Sequence, residues 1–243
     1  MTLRERADRV LVARGFFESR ARAQAAIAAG RVTVDGILLR KASDTISASA
    51  VIAAEPEHPY VSRGGLKLAA ALDHFKLDVN GRVCLDVGAS TGGFTDVLLA
   101  RGAKCVYAID VGSNQLHPRL RDRAGVVSLE QTDIRKLDAS RLPQIADAAA
   151  IDVSFISLKL VLPAVGRSLA AEAALVALIK PQFEAGRRNA KKGIVRDEAV
   201  RTSVCDDIAA FLASLGWRTR PVVASTILGG DGNQEFFIGA ERG

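Results

Sequence analysis

The stretch Asp86-Val-Gly-Ala-Ser-Thr-Gly-Gly-Phe94 constrains this chain more than any other. Val83, Leu85 and Val87 alternate ahead of it as a buried strand does, and Phe94, Val97, Leu98 and Leu99 follow at helical spacing. A strand, a glycine-rich turn and a helix in that order bring bare backbone up to a ligand, because Gly88, Gly92 and Gly93 carry no β-carbon.

The spacing Gly88-x-x-x-Gly92-Gly93 is not the G-x-G-x-x-G of dinucleotide sites, and Asp86 stands two residues before the first glycine. A pyrophosphate wants amide donors and a helix N-terminus, whereas an acid favours a ligand carrying positive charge. The sulfonium and amino groups of S-adenosylmethionine fit that requirement, so this methyl donor is the expected cofactor. Asp86, Gly88, Ser90, Thr91, Gly92, Gly93 and Phe94 are its candidate contacts on this turn.

From residue 82 onward strands and helices alternate. Strands are expected at 83–87, 105–111, 126–132, 148–153 and 174–179, with two late ones near 220–224 and 235–239. This is an α/β pattern, a doubly wound, Rossmann-like sheet with helices on both faces. Ligands gather beyond the carboxyl ends of such strands. Asp110 ends the second strand, where an acid accepts from a ribose diol; Asp133-Ile134 ends the third, near an adenine edge. The fourth delivers Asp152-Val-Ser-Phe155 and the fifth Lys180-Pro-Gln-Phe-Glu184.

Lys180 follows the apolar run 173–179, so its stem rises from the sheet core and its ammonium reaches the crevice. Asp152 or Glu235 could partner it. A free lysine has a pKa of about 10.4; desolvation lowers it and flanking carboxylates raise it, which leaves open whether Lys180 is a base or a cationic guide. The expectation is a guide that orients an acceptor hydroxyl and stabilises developing alkoxide. Lys67 lies off the apolar stripe Leu66, Leu68, Ala69, Leu72 and Phe75 of a helix capped by Ser62, a position where lysines are usually solvated.

The front of the chain differs. Residues 1–41 hold nine Arg or Lys against four Asp or Glu, within a chain of net charge +6. A helix is expected over 4–14, a second over 20–29 capped by Ser19, then a hairpin turning at Asp35-Gly36. The pattern Arg6-Ala-Asp-Arg-Val-Leu-Val-x-Arg-Gly, followed by Ser19-Arg-x-x-Ala-x-x-x-Ile27 and Gly30-x-Val32-x-Val34-x-Gly36, resembles the small α+β RNA-binding module named after ribosomal protein S-four. Arg6, Arg9, Arg20 and Arg22, with Arg4, are its candidate phosphate contacts, since guanidinium forks match phosphate oxygens. Glu55-Pro-Glu-His-Pro59 reads as a linker, giving an RNA-binding domain over 1–58 and a catalytic domain over 59–243.

Taken together, Tyr60-Val-Ser-Arg-Gly-Gly-Leu-Lys-Leu68, the Asp86 turn, Asp152-Val-Ser-Phe-Ile-Ser157 and Lys180-Pro-Gln-Phe-Glu184 resemble the TlyA family, whose catalytic part belongs to the FtsJ-like RNA 2′-O-methyltransferases. The resemblance implies a catalytic set of Lys67, Asp152, Lys180 and Glu235, which lifts Lys67 above its reading from position alone. It also implies a cytidine ribose of ribosomal RNA as substrate, presented by a ribosomal subunit. Arg63, and Arg187, Arg188, Lys191 and Lys192 in the basic loop after Glu184, are further RNA-binding candidates.

Bulk composition narrows the alternatives. An apolar share of 49% with 25% charged residues is that of a globular protein, and the charged start and short apolar runs offer no signal peptide or spanning helix. A cytoplasmic monomer without membrane contact is expected. Cys84, Cys105 and Cys205 form no C-x-x-C pair and read as core thiols, with no metal site. Three competing readings remain: a membrane-active protein, because members of the family carry haemolysin names; a non-catalytic RNA-binding assembly factor; and methylation of a base nitrogen. The last usually shows an Asn/Asp-Pro-Pro-aromatic turn, and Asp152-Val-Ser-Phe155 lacks both prolines.

Overall fold

A computed structural model describes residues 4–56, 58–186, 189–190 and 193–243, which pack as two compact units, Met1–Pro59 and Tyr60–Gly243. The first unit runs β1 (Arg4–Arg6), α1 (Ala7–Ala13), α2 (Arg20–Ala28), β2 (Val32–Val34), β3 (Ile37–Leu38), β4 (Thr45–Ser47) and β5 (Ile52–Ala54). Val10 and Leu11 of α1 meet Ala23, Ala26 and Ile27 of α2 over Val32, Leu39 and Ile46. Ser19 caps α2 by accepting from the Arg22 N–H at 3.3 Å. Asp35 and Gly36 both take positive φ, 51° and 78°, as a two-residue hairpin with right-handed strand twist requires.

The helix expected from Arg4 starts only at Ala7. Residues 4–6 pair antiparallel with 47–45, and Ala7 and Asp8 donate backbone N–H groups to Asp44 and Ala42. Pairing with a segment forty residues away overrides the local periodicity, which reports only which side chains face the core.

The second unit comprises α3 (Arg63–Phe75), β6 (Val83–Val87), α4 (Gly93–Ala100), β7 (Cys105–Ile109), α5 (Pro118–Arg121), β8 (Val126–Leu129), β9 (Ala146–Ile151), α6 (Leu158–Arg167), β10 (Leu169–Ile179), α7 (Pro181–Glu184), α8 (Glu198–Ser214), β11 (Arg218–Thr219), β12 (Val223–Ala224) and β13 (Phe236–Arg242). The strands lie in the order β11-β13-β10-β9-β6-β7-β8, with β12 also against β13. Those from β10 to β8 are parallel, whereas β11, β12 and β10 all run antiparallel to β13. The strand expected at 220–224 is two short pairings interrupted at Pro221, which has no N–H to give the ladder.

Alternation along the strands feeds two cores. Val83, Leu85 and Val87 face α6 and α8 through Leu158, Leu162, Val165, Ile208 and Leu212. Cys84, Val106, Val176 and Leu178 face α3 and α4 through Leu68, Leu72, Phe94 and Val97. Fully burying one such aliphatic side chain stabilises the fold by about 1.5–3 kcal/mol, so both helical layers are firmly held. Burial also pushes the Cys84 thiol up to about 12 and the Cys205 thiol up to about 11. All three cysteines are free. From β6 the chain runs outward through β7 and β8, then returns to β9 on the other side of β6. That reversal opens a crevice beyond the ends of β6 and β9, where ligands of doubly wound sheets bind.

Candidate active site

Gly88 follows β6 at that reversal with φ of +85°, and a β-carbon there would fall 2.3 Å from the Asp152 carbonyl oxygen. Only glycine lets the two strand ends close up, so the turn and Asp152 form one wall. Asp110, after β7, ties the next turn to it: its Oδ2 accepts from the Ser90 N–H at 2.8 Å and its Oδ1 from the Gly112 N–H at 2.7 Å. Ser90 itself takes φ of +46°. These groups bound a cavity of about 820 Å³ whose wall includes Gly88, Ser90, Asp110, Asp133, Ile134 and Asp152. Hydrogen bonds from Arg135 hold the Asp133 carboxyl below the usual carboxylate range.

A second cavity of about 270 Å³ adjoins the turn from the other side, reached by Thr91, Gly93, Phe94, Arg63 and Lys67, and sharing Gly88 and Asp152 with the first. Two expected contacts lie beneath the turn instead. Asp86 is fully buried, with Oδ2 accepting from the Thr95 hydroxyl at 2.6 Å and no hydrogen-bond partner for Oδ1 among the described residues. Burial is the main cause that pushes its pKa up to about 7; the Thr95 hydrogen bond opposes this and the charge of Asp152 adds to it. Gly92, at φ of +92°, is packed under Leu116 and Leu120. Both residues shape the turn from inside the core rather than lining either cavity. With Asp133 paired to Arg135 and Asp152 to Lys180, Asp110 is the wall carboxylate without an ion-pair partner among the described residues, and a cavity of about 820 Å³ against backbone that no β-carbon shields fits the nucleoside-sized, cationic S-adenosylmethionine.

The four residues implied by the resemblance form two ion pairs. Lys67 on α3 is buried and donates to Glu235 Oε2 at 2.6 Å. Its place off the apolar stripe therefore marks a buried charge, not a solvated one. Lys180, after β10, lies 2.6 Å from Asp152 Oδ1 and donates a hydrogen bond to Ser154 Oγ at 2.8 Å. Of the two acids that the sequence offers Lys180, Asp152 is its partner. Asp152 and Lys67 line the same small cavity, so the two pairs converge on one crevice. Lys67–Glu235 is buried and Lys180–Asp152 half-buried, and a desolvated pair such as the first is costly to build for stability alone.

Phe155 was missing from the expected set. It is a non-glycine residue at φ of +63°, 90% exposed, with its ring 5.0 Å from that of Phe183. A bulky side chain held in the left-handed region and presented to solvent is unusual. Both rings line the larger cavity, beyond the carboxylates. The sequence carries no signal for this conformation; only the aromatic in the Asp152-Val-Ser-Phe155 turn could have drawn notice.

The arginines separate into two kinds. Arg6 and Arg20 both pair with buried Asp8, at 3.0 and 2.7 Å, and Gln24 donates to the same carboxylate at 2.7 Å. These two cations therefore stabilise the first unit, although their side chains stay partly exposed. Arg4 donates to the Thr45 carbonyl at 2.6 Å, and Arg22 approaches His58 Nε2 at 3.4 Å. Arg9 is exposed, with no ion-pair partner among the described residues, and Arg63 is exposed at the mouth of the smaller cavity. Arg187, Arg188, Lys191 and Lys192 lie outside the described residues. Among the described residues no cluster of three or more His, Cys, Asp or Glu side chains could hold a metal ion, and no helix is long and apolar enough to cross a membrane.

Comparison with known proteins bears on the family and the fold. The S4 domain family matches residues 5–52 and the FtsJ-like methyltransferase family matches residues 60–242. The 16S/23S rRNA (cytidine-2′-O)-methyltransferase TlyA of Mycobacterium tuberculosis is 42% identical over 241 residues, covering 98% of this chain and 90% of that protein. A structure from Streptococcus thermophilus described as a candidate haemolysin superposes with a TM-score of 0.76 at 41% identity, covering 100% of this chain and 90% of that one. An S-adenosylmethionine-dependent methyltransferase fold from Listeria monocytogenes aligns with 74% of this chain and 98% of its own, at a TM-score of 0.56 and 15% identity, a likeness of fold alone. On both the family match and the near full-length relatives, the chain belongs to the TlyA family of FtsJ-like methyltransferases.

Proposed function

We propose that the protein transfers a methyl group from S-adenosylmethionine to the 2′-hydroxyl of a cytidine ribose in ribosomal RNA, acting as a cytoplasmic monomer on ribosomal subunits. The observation that carries this reading is the convergence of Lys67–Glu235 and Lys180–Asp152 on the crevice beside the glycine turn. S-adenosylmethionine supplies an electrophilic methyl group on a positively charged sulfur. When bound, it would be held by Asp110 and Ser90 at its ribose, by Asp133 and Ile134 at its adenine, and by the backbone at Gly88 along its remainder.

The chain's own groups then act on the acceptor. Lys180, aimed by Asp152 and Ser154, orients the incoming hydroxyl and stabilises the alkoxide that develops as its proton passes to solvent water and its oxygen takes the methyl group, the sulfonium sulfur leaving as a neutral thioether. Lys67, held by Glu235, adds a second cation beside the same crevice. Fixing acceptor and methyl in line supplies much of the acceleration. The exposed Phe155 ring, with half-buried Phe183 beside it, offers a face on which the target base stacks, while Arg9, Arg22 and Arg63, with the basic segment 187–192, take phosphates. The test is Lys180→Ala: cofactor affinity should stay within about 2-fold while transfer to ribosomal RNA falls by roughly 100-fold or more. Loss of cofactor binding in that variant would contradict the assignment.

The haemolysin name attached to relatives finds no helix among the described residues long and apolar enough to cross a membrane. A non-catalytic assembly factor has no need to keep a buried and a half-buried ion pair beside one crevice. Both alternatives are decided by the same transfer assay on ribosomal subunits.

A further inference from the structure

Two residues before Glu235, Asn233 is almost completely buried, at 1% exposure, and every polar atom of its side chain is engaged. Its Nδ2 donates to the Gly193 carbonyl at 2.9 Å and its Oδ1 accepts from the Val195 N–H at 3.0 Å. A planar carboxamide that takes one residue's C=O and the N–H two residues on reproduces what a neighbouring strand would offer. No other side chain of this size carries a donor and an acceptor in one plane. Gly193–Val195 closes the basic segment that starts at Glu184, whose other end is also pinned: Glu184 accepts from the Ser157 hydroxyl at 2.5 Å and the Leu158 N–H at 2.7 Å.

The main chain of Asn233 is engaged on the opposite side. Its carbonyl accepts from the Gly229 N–H at 2.9 Å, and Gly232 N–H closes the turn onto the Gly229 carbonyl at 2.9 Å. Gly229 in turn lies so close to Glu235 that a β-carbon on it would fall 2.5 Å from Oε1. A single residue therefore ties residues 193–195 to the turn that backs the Glu235 carboxylate. Without the carboxamide, the turn loses its only buried side-chain anchor to that segment among the described residues.

We propose that Asn233 is a positioning residue for the Lys67–Glu235 pair, holding Gly229 against the Glu235 carboxylate by clamping the turn to Gly193 and Val195. This rests on the methyl-transfer reading above. Asn233 itself lines neither cavity, while Leu228 and Gly230 of the turn it clamps line the smaller one, so its removal reaches the site through that turn. The experiment uses the full chain with S-adenosylmethionine and unmethylated ribosomal subunits, comparing Asn233→Ala and Asn233→Asp alone and in a Glu235→Gln background. Asn233→Asp keeps the volume and the acceptor but loses the donor.

Both variants should lower kcat about 10-fold or more while the cofactor Kd and the KM for RNA stay within about 3-fold. In the Glu235→Gln background the same changes should cost less than about 2-fold, because residues acting through one group do not add. Equal losses in both backgrounds, or wild-type kcat in Asn233→Asp, would overturn the proposal. Hydrogen exchange supplies a readout independent of turnover: peptides covering 193–196 and 228–235 should exchange faster together in Asn233→Ala. If 228–235 keeps its wild-type protection the clamp is refuted; if it loses protection in a protein that transfers no methyl group, only the methyl-transfer reading fails.

Discussion

Replacing Asp86 by asparagine should stabilise the protein above pH 7 and leave its stability near pH 4 almost unchanged. Asp86 sits at the centre of the sheet, wholly buried, with one carboxyl oxygen bound by Thr95 and the other without a donor among the described residues. Burial raises its pKa from 3.8 to about 7 in the folded chain. The sign follows from which state holds the proton. Near pH 4 the folded carboxyl is neutral and the unfolded one only about half ionised, so its contribution is small, and it vanishes at lower pH. As the pH rises the unfolded chain releases its proton first, while the folded chain keeps it to about pH 7, so folding loses stability across that window and regains none above it. A difference of about 3 pKa units corresponds to roughly 4 kcal/mol. Asparagine resembles the neutral acid in shape and hydrogen bonding, and so removes this penalty. Relative to wild type, the gain should be near zero at pH 4, about half complete at pH 5.5 and full above pH 7. In a unit of this size roughly 4 kcal/mol raises the melting temperature by about 8–16 °C. Thermal and urea unfolding of both proteins from pH 4 to 8.5 measures it. A stability difference that does not change with pH would refute the burial argument.

Gly88→Ala should destabilise the fold by about 3 kcal/mol and weaken cofactor binding at least 10-fold, since left-handed backbone and a β-carbon 2.3 Å from the Asp152 carbonyl oppose it together; calorimetric titration with S-adenosylmethionine checks this. Phe155→Ala should leave the melting temperature almost unaltered because the side chain is exposed, yet raise the KM for RNA roughly 5- to 150-fold, the range expected for one lost stacking face. Arg20→Ala should lower the melting temperature of the first unit by stripping a partner from buried Asp8, whereas Arg9→Ala should leave it unchanged and reduce the salt slope of RNA binding by about 1.

Where function depends on short-range pattern, the sequence was informative. The glycine turn, the alternating strands and the acids at their ends could be placed by number because strand period, turn chemistry and strand polarity are all local properties. The division of labour among those residues was not local. Asp86 and Gly92 belong to the same turn as Ser90 and Thr91, but face the core; facing is set by helix α4 and by Leu116 and Leu120, which pattern alone does not position. Lys67 looked solvated because its partner Glu235 lies 168 residues away. Arg6 and Arg20 looked equivalent to Arg9 until buried Asp8 came between them. Residues 4–6 left their helix for a strand partner at 45–47, and Phe155 owes its presentation to a backbone angle that no propensity scale assigns.

The central claim is that this crevice methylates a ribose hydroxyl. The most direct measurement is mass spectrometry of nucleosides from unmethylated ribosomal subunits after incubation with the purified protein and isotopically labelled S-adenosylmethionine. The account predicts label in 2′-O-methylcytidine, absent with Lys180→Ala. Label in a base-methylated nucleoside, or none with folded, cofactor-loaded protein, would contradict it.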